Sequence, residues 1–234
     1  MMTPVRSLCL ALLLASSASA ASFDCTKAST VVEKAICATP RLSALDEELA
    51  ATYAAVRKNP AVREGQRRWL VEERDACEDG EGCIEAAYLV RIATLRLASP
   101  ALFARQKAPH RVLGRYSEMQ EVCFPSEDDP NENECEGEVE NFVDIRRGRG
   151  NALRVGSELF FFAGHQCSIE TGPAEWEGDE LRVAVQWGGE PPSCVLVLRF
   201  SDSAVTMTDP GGRCKDSSCG ARGSFEGIEL SKKP

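Results

Sequence analysis

Cysteine content is the feature that most constrains how this chain can fold. The sequence has 11 cysteines in 234 residues, and one of them, Cys9, lies in an N-terminal segment that we expect to be removed. Ten remain, and an even number of cysteines in an exported chain predicts a disulfide framework. They fall into groups of four and six, so each group can pair within itself and two domains are predicted. The groups are Cys25, Cys37, Cys77 and Cys83, then Cys123, Cys135, Cys167, Cys194, Cys214 and Cys219.

Residues 1–21 have the pattern of a secretory signal peptide. Arg6 precedes an apolar run over residues 8–15, and the small residues Ala18-Ser19-Ala20 follow. The apolar run is too short to span a bilayer. No lipobox precedes Cys9 or Cys25, so we expect a periplasmic or secreted protein, soluble after cleavage and without a membrane anchor.

Residues 22–99 predict an all-α domain organised around one helix. Apolar side chains recur at helical spacing at Val62, Trp69, Leu70 and Cys77. Similar periodicity precedes this helix in residues 31–36 and 42–56 and follows it in residues 84–95. Trp69, the largest apolar side chain in this part of the sequence, is expected at the centre of the core.

Disulfides fit the small size of this domain, because a core of about eighty residues is marginal by itself. The preferred pairing joins Cys37 to Cys77 and Cys25 to Cys83, which ties the first short helix to the central pair. The four cysteines allow three pairings, and the sequence leaves them open.

The same stretch resembles the N-terminal domain of the LprI-type lysozyme inhibitors, over residues of about 23–96. The matching segments are Phe23-Asp24-Cys25, Val32-Glu33-Lys34-Ala35-Ile36-Cys37, Leu42-x-x-Leu45-Asp46, Gln66-Arg67-x-Trp69-Leu70, Arg74-Asp75-x-Cys77, Cys83 and Tyr88-x-x-Arg91-Ile92-x-x-Leu95. The resemblance implies a secreted or periplasmic helical domain associated with inhibition of lysozyme. Relatives of this kind can be lipoproteins, but this sequence lacks the lipobox, so membrane tethering is not carried over.

Several polar residues within the resemblance have two interpretations. They are either an exposed recognition surface or the caps and hydrogen bonds that lock the helices together, and we favour the second. The residues are Glu33, Asp46, Tyr53, Gln66, Arg74, Asp75 and Arg91.

Residues 100–109 contain two prolines and predict a short linker, after which the apolar period changes to two. Short alternating stretches separated by Gly, Pro and Asp turns predict a small antiparallel β-barrel or sandwich over residues 110–234. The predicted strands are residues 112–116, 139–145, 153–162, 181–187, 194–200, 204–208 and 224–230. The whole chain is therefore expected to be an α+β protein of two domains. For the six cysteines here, we expect the pairs Cys123–Cys135, Cys167–Cys194 and Cys214–Cys219. Residues 164–167 and 219–223 resemble motifs of a β-domain that accompanies this helical domain in other exported proteins.

Negative charge is concentrated in this second domain. Residues 22–109 carry thirteen basic and thirteen acidic side chains, whereas residues 110–234 carry thirteen basic and twenty-three acidic ones, a net charge of −10. Between Arg115 and Arg146 there are eleven acidic residues and no basic one. Such a surface repels nucleic acid and attracts basic proteins.

The densest acidic stretch, residues 127–140, lacks the spacing of a calcium-binding EF-hand loop. Its default interpretation is a solvated acidic loop, and the sharper one is a surface that steers a basic partner. The candidate contact residues are Glu127, Asp128, Asp129 and Glu132.

No catalytic, zinc-binding, phosphate-binding or dinucleotide-binding motif occurs in the sequence, so no enzyme activity, metal or cofactor is predicted. The leading hypothesis is an exported binding protein that inhibits a lysozyme by occluding its cleft. The alternative is an accessory envelope module that binds an endogenous cell-wall enzyme or exported partner. A hydrolase would require a cleft with two close carboxylates.

Overall fold

The structure is a computed structural model that describes residues 21–99, 101–126, 129, 132–186, 188 and 190–233. Most of the predicted signal peptide, residues 1–20, lies outside the described residues. So do two of the candidate contact residues, Glu127 and Asp128.

The N-terminal domain consists of helices whose ends follow from local sequence signals. They are α1 (Val31–Ala38), α2 (Pro40–Val56), α3 (Pro60–Trp69) and α4 (Glu81–Leu97). A capping box begins α1: Thr30 Oγ1 accepts a hydrogen bond from the Glu33 amide, and Glu33 Oε2 accepts one from the Thr30 amide, both at 3.1 Å. Both α2 and α3 start with proline, whose fixed φ suits the first helical position.

The predicted Trp69 helix runs to Cys77, although it changes its winding after α3. A π-helical turn spans Leu70–Arg74, and a 3-10 turn spans Asp75–Cys77. Trp69 is only 7% exposed, and its ring meets that of Tyr88 edge-on at 5.2 Å between centroids. Its indole nitrogen donates a hydrogen bond to the Ala87 carbonyl at 3.3 Å. Trp69 therefore lies in the core, as the sequence predicts.

The C-terminal domain is a closed antiparallel barrel in which each strand pairs with the next along the chain. Its strands are β1 (Gly114–Pro125), β2 (Asn133–Arg147), β3 (Leu153–Phe160), β4 (Gln166–Glu177), β5 (Glu180–Val185), β6 (Cys194–Phe200), β7 (Ala204–Thr208) and β8 (Glu229–Lys232). β8 closes the barrel through the pairs Tyr116–Lys232 and Ser117–Ser231. The predicted α+β architecture is confirmed, and the β-domain is the barrel rather than the sandwich.

Two elements of this domain have no counterpart in the sequence prediction. One is β4, which is rich in polar residues and contains Gly172 and Pro173, although Cys167 and Trp176 are buried. The other is the one-and-a-half-turn helix α5 (Arg213–Ser218) in the long connection between β7 and β8.

The two domains pack directly against each other. In β6, Leu196 and Leu198 point into the barrel core, while Val195 and Val197 join the core of the helical domain. Ala184 of β5 lies in the same helical-domain cluster. The continuous apolar run of β6 is thus explained by burial of both of its faces.

The disulfides differ in part from the predicted pairs. In the helical domain the bonds are Cys25–Cys37 and Cys77–Cys83, so the expected Cys37–Cys77 and Cys25–Cys83 pairs are wrong. The reason is local geometry. The turn before α1 folds back on that helix, and the break at residues 78–80 brings the end of one helical segment beside the start of α4.

In the barrel, Cys123 is bonded to Cys135, the pair that the sequence favours. The other two bonds are Cys167–Cys219 and Cys194–Cys214, so the expected Cys167–Cys194 and Cys214–Cys219 pairs are wrong. The connection between β7 and β8 crosses the end of the barrel, where its two cysteines reach β4 and β6 instead of each other. In the described part of the chain, no helix combines the length and apolar character needed to cross a membrane.

Candidate functional site

The first candidate site is a two-stranded extension of the barrel that we call the acidic arm, residues 118–140. Beyond Ser117, β1 has no described strand partner except β2, and β2 pairs with β3 only from Phe142 onward. The eight residues from Glu118 to Pro125 extend about 25 Å at about 3.3 Å per residue. The solvated acidic loop expected from the sequence is therefore largely a β-hairpin, and only its turn, residues 126–132, lies outside the strands.

A cross-strand disulfide and a β-bulge shape the arm. Cys123 and Cys135 are directly paired, with their Cα atoms 3.9 Å apart. Next to them, two residues of β2, Glu136 and Gly137, oppose the single residue Val122 of β1. Gly137 has φ of 100°, a conformation that glycine adopts at little cost and that bends the hairpin locally.

Carboxylates face each other across the two strands of the arm. Glu121 lies directly opposite Glu138, and both are exposed. Like charges in directly opposed positions destabilise a strand pair. The arm thus maintains negative charge at some expense of its own stability.

At the base of the arm, Arg115 balances part of this charge. Arg115 donates from Nε and Nη2 to the two Glu140 oxygens at 3.1 and 2.6 Å, and its guanidinium lies 3.7 Å from the centre of the Phe142 ring. The hydrogen bonds from Arg115 lower the pKa of Glu140 to about 2. Farther out, the Phe124 ring lies against Gly164, where any side-chain Cβ would approach it to 3.2 Å. The arm is therefore anchored at its base and supported along its side.

The tip contains the contact residues proposed from the sequence. Glu132 donates its amide to the Asp129 carbonyl at 3.0 Å, and the Ser126 amide donates to the Glu132 carbonyl at 2.9 Å. Asp129 and Glu132 therefore lie together in the turn, and Glu132 is exposed. Glu127 and Asp128 lie outside the described residues.

A potential metal-ligand cluster in the arm is not a metal site. Ligand atoms of Glu121, Cys123 and Cys135 lie within 4.8 Å of one another. The two sulfurs are joined in a disulfide, and a metal requires the thiolate form of cysteine.

The polar residues of the helical domain have structural partners, as favoured from the sequence. Asp46 accepts hydrogen bonds from the Tyr88 hydroxyl and the Ser22 amide, both at 2.7 Å. Burial and the Asp46 carboxylate raise the pKa of Tyr88 above its ordinary value. Gln66 Oε1 accepts from Arg91 Nε at 2.9 Å. These contacts of Asp46, Gln66 and Arg91 lock helices together.

An exposed feature of this domain was missed by the sequence prediction. Val71, in the π-helical turn after Trp69, is 69% exposed. Single π-helical turns occur frequently at functional sites, and an exposed branched aliphatic side chain suits a protein contact. Sequence alone gives no signal here, because the apolar periodicity continues across the turn.

A network of ion pairs joins the two domains. Arg96 of α4 reaches Glu48 of α2 at 3.0 Å and Glu175 of β4 at 3.0 Å. Arg182 of β5 reaches the same Glu48 at 2.6 Å and its strand neighbour Glu180 at 2.8 Å. The side chains of both arginines are only 8% exposed, so these contacts are largely shielded from water.

Charges in this network stabilise one another against burial. Desolvation would raise the pKa of Glu180, but Arg182 and Arg41 outweigh it and hold that pKa below its usual range. Desolvation likewise opposes the charged form of Arg182, yet Glu48 and Glu180 raise its pKa. Glu180 is thus an ionised partner of these arginines, and the ion pairs of the network fix the position of one domain on the other.

These features define the class of protein: it consists of a disulfide-bonded helical domain fixed to a closed β-barrel. Residues 24–98 match the family model described as Lysozyme inhibitor LprI, which confirms the resemblance predicted for residues of about 23–96. Similar curated proteins are Lipoprotein LprI of Mycobacterium bovis and of two Mycobacterium tuberculosis strains. Each is 36% identical over 86 residues, which cover 34% of this chain and 43% of the relative.

The chain therefore spans less than half the length of these relatives. The family match ends at residue 98, so the acidic arm and the rest of the barrel lie outside it. No solved structure matches this chain significantly.

Proposed function

We propose that this protein is exported and inhibits a lysozyme by binding in or across its substrate cleft. The observation that carries the proposal is the match of residues 24–98 to the lysozyme-inhibitor family model. Five disulfides support export, because such bonds persist in oxidising compartments outside the cytosol.

The acidic arm is the proposed element of occlusion. It is a narrow hairpin about 25 Å long, at about 3.3 Å per residue, which is held rigid by its disulfide. Rigid elements lose little conformational freedom on binding, which favours affinity. Its single-sign charge would attract a basic target and raise the association rate by roughly 10–1000-fold at low salt.

The helical domain offers a second contact surface around Val71. This surface lies within the segment that matches the inhibitor family, whereas the arm does not. Since the interdomain ion pairs hold both surfaces on one body, both can face a single target.

The first experiment is a turbidity assay of cell-wall lysis by c-, g- and i-type lysozymes, with purified protein starting at Ser22. Inhibition at near-stoichiometric ratios of protein to one lysozyme type is expected. Unchanged lysis by every type at a large excess, with no binding signal, contradicts the proposal. The protein would then be better explained as an accessory envelope module, and a pull-down from the envelope fraction would identify its partner.

The second experiment separates the two surfaces. Neutralising the four tip carboxylates together (E127Q/D128N/D129N/E132Q) is expected to raise the half-inhibitory concentration at least tenfold, about 1.4 kcal/mol of binding free energy. A matched control neutralises four exposed carboxylates elsewhere on the barrel: Asp179, Asp202, Asp216 and Glu229. If the tip variant inhibits like the control while Val71→Asp abolishes inhibition, contact belongs to the helical domain and the arm is not the occluding element.

A further inference from the structure

An arginine-lined groove lies at the end of the barrel opposite the arm. Its volume is about 1050 Å³, and it runs between residues 103–104 and the turn that joins β2 to β3. Because β2 runs from the arm at Asn133 to this turn after Arg147, the groove and the arm lie at opposite ends of the same strand.

Three arginines line the groove and have no carboxylate partner among the described residues. Arg147, Arg149 and Arg154 are all exposed, and among the described residues none of them forms an ion pair with Asp or Glu. Several other arginines of the barrel have carboxylate partners: Arg115 binds Glu140, and Arg182 binds Glu48 and Glu180. The groove is thus a positive site in a domain whose net charge is −10.

Strand register adds a further positive charge beside the groove. Arg146 on β2 lies directly opposite Arg154 on β3. Opposed like charges destabilise a strand pair, and of these two arginines only Arg146 forms an ion pair, with Asp144, in the described part of the chain. A bound anion would relieve this repulsion and gain charge-assisted hydrogen bonds at the same time.

The walls of the groove are already in place. In the turn, Gly148 donates its amide to the Ala152 carbonyl at 2.8 Å, and Asn151 reaches the Arg105 carbonyl at 3.4 Å. On the other side, the Ala104 amide donates to the buried Glu175 carboxylate at 2.9 Å. Ala104 has φ of 51°, a strained conformation for a residue other than glycine, and such strain is concentrated at functional sites. A ligand would therefore meet a formed site.

We propose that this groove binds a ligand that carries two or more phosphate groups. Guanidinium groups bind phosphate oxygens through paired N–H donors, and three of them in one groove favour a ligand with more than one phosphate. The phosphates belong either to a free anion or to lipid headgroups, because the recognising chemistry is the same.

The test is isothermal titration of the folded protein with tripolyphosphate at low salt, where electrostatic binding is least screened. The variant R147Q/R149Q/R154Q is expected to bind at least tenfold more weakly than the wild type. A matched control, R57Q/R67Q/R68Q, removes the same charge from exposed positions of the helical domain and is expected to bind like the wild type. Thermal unfolding verifies that both variants are folded.

Absence of binding by the wild type, or equal weakening in the two variants, would overturn the proposal. A second arm measures sedimentation with phosphatidylglycerol vesicles against phosphatidylcholine vesicles. If the wild type cosediments with phosphatidylglycerol vesicles and R147Q/R149Q/R154Q does not, lipid headgroups are the source of the bound phosphates. Tripolyphosphate binding without cosedimentation identifies a free anion.

Discussion

Replacing Arg96 by methionine tests whether the ion-pair network holds the two domains together. Arg96 contacts Glu48, Glu175 and Glu177, and the side chains of Arg96 and Glu175 are only 8% and 5% exposed. Removing one partner of a buried pair costs about 3–5 kcal/mol, because the other charge stays buried without compensation. Here each of the three carboxylates keeps another hydrogen-bond donor, so we expect the lower end, about 3 kcal/mol.

The assay is urea unfolding of the oxidised protein, followed by circular dichroism at fixed pH. A double-mutant cycle with Glu175→Gln isolates the pair, since the glutamine removes the charge that R96M leaves uncompensated. We expect R96M/E175Q to be more stable than the sum of the single effects predicts, with a coupling energy of at least about 1.5 kcal/mol. Arg67→Met, an exposed arginine on α3, is the control and should change stability by less than about 0.5 kcal/mol. A loss below about 1 kcal/mol for R96M with additive effects in the cycle would refute the reasoning.

Three further predictions concern the core, the base of the arm and its disulfide. Trp69→Ala is expected to lower the free energy of unfolding by about 3–5 kcal/mol, measured by urea titration, and a loss below about 1 kcal/mol would show that Trp69 does not fill the core. Glu140 should titrate with a pKa of about 2 by carboxyl-carbon NMR, and Arg115→Gln should return it towards 4.5; an unchanged pKa in the variant contradicts the assigned cause. Because the folded-state pKa is depressed, the Glu140 contribution to stability is present above pH 4.5 and is lost as the pH falls towards 2. Cys123→Ser with Cys135→Ser should speed amide exchange in the arm and leave the barrel strands protected, and equal loss of protection in both would show that the arm is not a separate unit.

Fold class could be predicted because the helical and the strand periodicity of apolar residues are local properties of the sequence. The apolar stripe of the helix around Trp69 and the alternation of β3 each show in neighbouring residues which face is buried. β4 was missed because Gly172 and Pro173 interrupt its alternation. The bulge where Val155 and Ser157 of β3 pair with it disturbs the register at the same place.

Apart from Cys123–Cys135, disulfide connectivity could not be predicted, because it depends on how elements meet in space. Long loops gain most from closure in the unfolded chain, an argument that favours Cys37–Cys77. The observed disulfides of the helical domain instead join cysteines that are 12 and 6 residues apart, because the turns there already place those cysteines side by side. Interdomain pairs such as Arg96–Glu175 join residues far apart in sequence, so no local pattern reveals them.

The charge pattern of the arm separates two explanations for its carboxylates. Exposed strand edges often carry charge to prevent pairing with other chains, and either sign serves that purpose. Residues 118–140 instead contain ten acidic side chains and no basic one, and the register sets Glu121 against Glu138 where an opposite pair would stabilise the hairpin. Edge protection explains charge but not charge of one sign at such positions. An electrostatic field that attracts the proposed basic partner explains both the single sign and the opposed positions of the carboxylates. The domain interface fixes the direction of that field relative to the helical domain.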